Sequence, residues 1–329
     1  MLVTGVRLSS GVPIASMTGN LINESACNRS TALTWAKALR VSQWTKNGAV
    51  LLAWFFALAD ASQAAKARGI VPALIAFGMA AAFCLISSSF YLLNDVADCE
   101  SDRLHPVKRL RPIAAGLISE IAAVRAALVL FAVGVAFPAA VLFVHPDRTI
   151  AFGTVLAYTI LQCLYSGFLK HVPYVDVVVI AAGFVLRAVA GAAVIDARIS
   201  PWLLVCAFSL SLFLALAKRR HEKVLAEDSR KALSGYRLRV IDTLLACSAL
   251  LTLAVYVGYT VSADTVARFH TRGLAFTAAF VALGLARYAF LVYKHGDVGR
   301  PEKVLLTDRL LWVVLFGYCA TALVVVLAR

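Results

Sequence analysis

Charge is scarce in this sequence. Only 15% of its 329 residues are Asp, Glu, Lys or Arg, where a soluble domain carries about a quarter. With 61% hydrophobic residues and a mean hydropathy of +0.82, that scarcity excludes an ordinary water-soluble domain. The seven cysteines (Cys27, Cys84, Cys99, Cys163, Cys206, Cys247, Cys319) form no CxxC pair and mostly lie in apolar runs, so neither a zinc ribbon nor a disulfide framework is expected. No GxxxxGK[ST] occurs, which leaves P-loop ATP hydrolysis without support. No Ser–His–Asp arrangement stands out. The first 48 residues lack the charged-then-apolar pattern of a cleavable signal, and none is expected.

Apolar runs near the roughly 20 residues needed to cross a bilayer are plentiful. The reading is an all-α polytopic membrane protein with nine spans, at about 49–65, 70–93, 119–143, 149–169, 174–195, 201–217, 240–262, 273–293 and 309–328. Asp60 breaks the first. Lipid offers no partner for an unpaired peptide group, so every span is expected to be helical. Residues 1–30 read as a poorly ordered extension and 31–329 as one transmembrane domain. Thr31–Val41 is amphipathic and suited to the membrane interface, and Trp44 is an interfacial anchor. The N-terminus and the loops after even-numbered spans hold about three times the Lys and Arg of the opposite side, which predicts that they face the cytoplasm and that the C-terminus lies outside. The net charge of +14 is therefore read as topology and anionic partners, not as a nucleic-acid footprint. Monomer and homo-oligomer both remain open.

The chemistry concentrates in Phe90–Gly116, FYLLNDVADCESDRLHPVKRLRPIAAG. On a helix, Asp98 falls about 60° from Asp95 and Asp102 about 20° from it. Asn94, Asp95, Asp98 and Asp102 then share one face and Glu100 points elsewhere. Three carboxylates on one face repel unless a cation sits among them, and hard oxygen ligands suit Mg²⁺, which commonly bridges carboxylates to a substrate's phosphates. Lys108, Arg109 and Arg111 follow, after His105–Pro106 ends the helix. A solvated charged loop is the plainer rival.

Other expected cytoplasmic segments add Lys46 and Asn47; Tyr165, Lys170 and Asp176; and Lys218, Arg219, Arg220 and Glu222 in AKRRHE. Arg187 lies about 16 Å further along its span than Asp176, flanked four residues either side by Gly183 and Gly191, small residues that allow close helix packing. Asp308 and Arg309 read as a structural ion pair. A carboxylate face for Mg²⁺, ringed by bases and beside the bilayer, suits a diphosphate leaving group.

N94-D-x-x-D98-x-x-x-D102 resembles the first aspartate-rich motif of the UbiA-type superfamily of intramembrane prenyltransferases. That resemblance implies nine helices around a central cavity open to the cytoplasmic side, and prenyl diphosphates bound through Mg²⁺. SQWTKN (42–47), residues 94–116, residues 165–192, AKRRHE (217–222) and RPEKVLLTDR (300–309) are more similar still to its branch that moves phosphoribosyl from phosphoribosyl diphosphate to a polyprenyl phosphate, for arabinosyl-lipid precursors of the cell envelope. Ordinary prenyltransferases carry a second acidic motif where this chain reads KRRHE. A fixed cationic pocket there suits the extra phosphate of phosphoribosyl diphosphate.

The resemblance implies Asp95, Asp98 and Asp102 as catalytic carboxylates, with Asn94 completing the Mg²⁺ ligands. Lys46, Lys108, Arg109 and Arg111 are then candidates for the diphosphate. Lys218, Arg219 and Arg220 are candidates for the 5-phosphate with Glu222 orienting, and Lys170 and Arg187 for the lipid phosphate. Asn47, Tyr165 and Asp176 complete the expected substrate site. A true prenyltransferase is the rival within the fold. A transporter is the rival outside it, disfavoured because only three bases sit within spans.

Overall fold

The structure, a computed structural model, describes residues 31–60, 63–198, 200–225, 235–294, 304 and 307–327. The expected N-terminal extension and much of the sixth and eighth loops lie outside the described residues.

Every regular element among them is helical. Residues 31–38 form α1, and a 3-10 helix, Val41–Gly48, leads into α2, Ala49–Ala59. There follow α3 (Ala64–Ala67), α4 (Ile70–Ala97), α5 (Cys99–Leu104), α6 (Glu120–Val144), α7 (Thr149–Gly167), α8 (Val175–Val194) and α9 (Pro201–Leu225). The chain continues with α10 (Leu238–Val261), α11 (Ala263–Phe269), α12 (Ala278–Lys294) and α13 (Arg309–Leu327). Among the described residues, seven stretches are long and apolar enough to cross a membrane: α4, α6, α7, α8, α9, α10 and Gly273–Lys294. The first and ninth expected spans are the shorter apolar helices α2 and α13. At 1.5 Å per residue, the eleven residues of α2 reach only about 16 Å, because Asp60 turns the backbone extended and ends the helix.

Large apolar side chains on the outer faces, among them Ile70, Leu74, Phe143, Ile160 and Val313, are exposed. In water such a surface would aggregate; here it is the lipid-facing coat of an integral membrane protein.

The described chain divides into two compact units, one formed by 31–42 with Ser88–Leu128, the other by Gln43–Ser87 with the chain from Val129 onward. In the first unit the backbone turns from the basic loop toward α6 at Gly116, whose φ of +73° favours a residue without a Cβ. The second unit is organised around α8, which packs on α2, α7 and α9, with α9 packed in turn on α10. A Cβ at Gly191 would fall 1.8 Å from the Val50 carbonyl oxygen. That position lets α2 and α8 touch backbone to backbone, the small-residue packing of membrane helices. Gly183 serves differently: the space beside it is taken by the guanidinium of Arg187, one turn along the same helix.

Candidate active site

In the first unit the last turn of α4 delivers Asn94 and Asp95. The helix does not run on to Asp102 as one cylinder: α4 ends at Ala97 and Asp98 begins α5. Backbone bonds nonetheless cross the junction, from Asp98 N to Asn94 O at 2.9 Å and from Asp102 N to Asp98 O at 2.8 Å. Asp95 and Asp102 therefore stay on one side. Both are buried, at 4% and 3% exposure, and Arg111 Nη1 donates to both, at 3.1 and 2.6 Å.

A second guanidinium reaches the same oxygen of Asp95: Arg40 Nη2 lies 2.6 Å from Oδ1. Arg40 follows α1, with φ at +53°, beside Leu39, whose carbonyl accepts from Ser88 Oγ at 2.9 Å. Its guanidinium also lies over the Tyr91 ring, 4.7 Å from the centroid. Asn94 and Asp98 are half-buried and Glu100 is exposed. His105 Nδ1 accepts from the backbone of Val107 and Lys108, at 3.2 and 3.3 Å, which shapes the turn that carries half-buried Lys108 and exposed Arg109.

In the second unit Arg219, 3% exposed, lies between two carboxylates. Its Nε donates to Asp176 at 2.7 Å and its Nη1 to Glu222. Asp176, 1% exposed, also accepts from the hydroxyl of buried Tyr236. Burial, and then this bond to a carboxylate, push the Tyr236 phenol above its ordinary pKa. Lys218 approaches Glu222 at 3.8 Å. Arg220 does not join them: it pairs with Asp242 at 2.7 Å and stacks on Tyr293. Consecutive helical residues point about 100° apart, so three in a row cannot line one pocket.

Asn47 and Arg187 meet directly. Arg187 Nε donates to Asn47 Oδ1 at 2.7 Å, Nη2 to the Tyr158 hydroxyl at 2.7 Å, and Nη1 to the Gly183 carbonyl at 3.0 Å. Asn47 in turn donates to Ser87 Oγ at 3.2 Å. Lys46 reaches Gln43 at 3.0 Å. Tyr165 lies in the last turn of α7, and Lys170 sits in the 3-10 turn Leu169–His171; both are half-buried. Asp308 pairs with Arg287, at 2.8 Å, and not with Arg309 as expected. Its other oxygen accepts from Leu311 N at 2.9 Å, so it caps the very helix that Arg309 begins. This pair lowers the Asp308 carboxyl below its usual range. A cavity of about 160 Å³ lined by Asp60, Gln63, Tyr259 and Arg268 lies near the other ends of α9 and α10 from Arg219 and Tyr236.

Arg40, Tyr158 and Tyr236 were not found from sequence. The first lay in an amphipathic stretch that read as an interfacial helix, and the tyrosines sat in runs with no motif around them.

An aspartate pair at the end of one long apolar helix, a basic turn after it, and an all-helical membrane fold are the attributes of an intramembrane transferase. The chain belongs to the UbiA prenyltransferase family, which matches residues 50–315. Within that family it is 35% identical, over 292 residues, to decaprenyl-phosphate phosphoribosyltransferase of Corynebacterium glutamicum, covering 86% of this chain and 83% of that one. The protein of the same name from Mycobacterium tuberculosis is 35% identical over 297 residues, covering 87% and 91%. The fold is similar to that of a UbiA homolog from Archaeoglobus fulgidus solved with GPP and Mg²⁺, with a TM-score of 0.65, 16% identity, and coverage of 89% and 99%.

Proposed function

We propose that this transferase moves the 5-phosphoribosyl group of phosphoribosyl diphosphate onto a polyprenyl phosphate, releasing diphosphate. The observation that carries this reading is similarity over more than four-fifths of both chains to decaprenyl-phosphate phosphoribosyltransferases. Lys218, at a position where prenyltransferases carry a second acidic motif, supports it.

The oxygen donors of Asn94, Asp95, Asp98 and Asp102 suit Mg²⁺ by type. Among the described residues no three acidic, His or Cys side chains already converge as a metal site, because Arg40 and Arg111 hold Asp95 and Asp102. The set fits the ion once these arginines turn to the phosphates. Bound there, Mg²⁺ would help neutralise the charge of a departing diphosphate.

The chain's own residues do the rest. Arg111, Lys108, Arg109 and Lys46 receive diphosphate oxygens. Lys218 receives the 5-phosphate, with Arg219 and Glu222 as its rigid support. Lys170 and Arg187 receive the lipid phosphate. An oxygen of that phosphate bonds to ribose C1 as the C1–diphosphate bond breaks, with inversion at C1. The attacking oxygen is already anionic, so no strong general base is needed. The site faces the cytoplasm and the product feeds arabinosyl-lipid precursors.

Diphosphate release by the purified protein tests the reading. Release is expected only with Mg²⁺, phosphoribosyl diphosphate and polyprenyl phosphate together. Release from a prenyl diphosphate with an aromatic acceptor, and none from phosphoribosyl diphosphate, would overturn it in favour of a prenyltransferase.

A further inference from the structure

We infer that Arg40 and Arg111 close the aspartate pair to a bare divalent cation, so that metal loads together with the diphosphate and not ahead of it. Asp95, Asp98 and Asp102 bring three negative charges, and two guanidiniums already stand among them: Arg40 on Asp95 at 2.6 Å, and Arg111 on Asp95 at 3.1 Å and Asp102 at 2.6 Å. With Asp95 and Asp102 already paired to guanidiniums, little net negative charge is left to attract a divalent ion that must also shed part of its hydration shell.

A metal arriving alone has to displace Arg111 from between the two carboxylates. Both arginines would then stand beside a cation in a part-buried site, where charges of one sign are costly. A diphosphate reverses this balance by offering each displaced guanidinium the bidentate oxygen pairing it prefers. By reciprocity the metal must then tighten diphosphate by the same factor as diphosphate tightens metal.

Arg40 is held for this role. The Ser88–Leu39 bond fixes the backbone beside it, its own φ lies in the left-handed region, and the Tyr91 ring backs its guanidinium. Left-handed backbone at a bulky residue persists only where surrounding structure over-determines it.

The inference rests on the reading above only in needing a diphosphate donor, phosphoribosyl or prenyl. The test uses full-length protein in nanodiscs, Mn²⁺ as probe and inorganic diphosphate as partner, with protein-bound Mn²⁺ measured by equilibrium dialysis at fixed free Mn²⁺. Asp95→Asn supplies the background. Wild type is expected to bind Mn²⁺ weakly alone and at least about tenfold more tightly with diphosphate. Arg40→Gln is expected to raise affinity for Mn²⁺ alone about tenfold, and Arg40→Lys to restore the weak binding. Asp95-dependent Mn²⁺ binding that is equally tight with and without diphosphate would overturn the proposal. So would unchanged metal-alone affinity in folded Arg40→Gln and Arg111→Gln. Should those variants not fold, the wild-type comparison decides alone. Failure to transfer phosphoribosyl would overturn the donor assignment and leave this coupling standing.

Discussion

The side-chain oxygen of Asn47 accepts a hydrogen bond from Nε of Arg187 across 140 residues of sequence, at 2.7 Å. That guanidinium's other donors go to a tyrosine hydroxyl and a carbonyl, and among the described residues no carboxylate pairs with it. A cation within an apolar span, held only by neutral groups and aromatic faces, keeps its charge for an anion. Asn47→Leu leaves Nε unpaired and is expected to cost about 1–3 kcal/mol, read as a lower melting temperature in detergent. Arg187→Lys should not substitute, because one ammonium cannot reach three partners set in a fork.

Gly191→Ala is expected to be among the most damaging single-methyl changes in the chain. Its Cβ would meet the Val50 carbonyl carbon and oxygen, which are backbone and cannot swing aside. Overpacking usually costs about 1–3 kcal/mol, and more where nothing can yield. Gly153→Ala, where nothing lies within 4 Å, should be neutral or slightly stabilising. Thermal melts of the two variants side by side check the contrast.

Tyr236→Phe removes the hydroxyl that donates to Asp176. A buried carboxylate short of one donor is expected to cost about 1–3 kcal/mol. If Arg219 supports the 5-phosphate site through Asp176, KM for phosphoribosyl diphosphate should rise while the KM for lipid phosphate stays put. Steady-state kinetics with each substrate varied in turn separates these.

Asp308 gives a pH dependence with a definite sign. The Arg287 hydrogen bond lowers its folded-state pKa. Its stabilisation is therefore fully present above the ordinary carboxylate value of about 4 and is lost as pH falls through the lower folded value. The melting-temperature gap between wild type and Asp308→Asn should narrow over that acid window. A gap that stayed constant would contradict the assignment.

Local pattern carried much of this far. Asp60 was legible as a break in the first expected span, though that span runs to residue 65 and the helix stops at Ala59. His105–Pro106 was legible as the end of the acidic helix and Gly116 as preceding the next span, because each acts through its own backbone. The shared side of Asp95 and Asp102 was legible too, although the helix expected to carry both breaks at Asp98. Partnership across the chain was not legible. Arg40 lies 55 residues before Asp95, and nothing local marks it apart from Lys37. The run Lys218–Arg220 read as one cationic pocket. Helical rotation instead sends Arg220 to Asp242, and Arg219 meets Glu222 three residues along its own helix and Asp176, which only the packing of α8 on α9 brings to it. Asp308 beside Arg309 was a pairing by adjacency, where the fold supplied a better-placed arginine on α12.

The most direct measurement is transfer itself. Full-length protein in nanodiscs, given Mg²⁺, a polyprenyl phosphate and phosphoribosyl diphosphate labelled in the ribose, should move label into the lipid extract. Chelating the metal should stop it, and Asp95→Ala should slow it by about a hundredfold or more. Label that stays in the aqueous phase across a range of lipid lengths, with the wild-type protein folded and metal present, would contradict the assigned reaction.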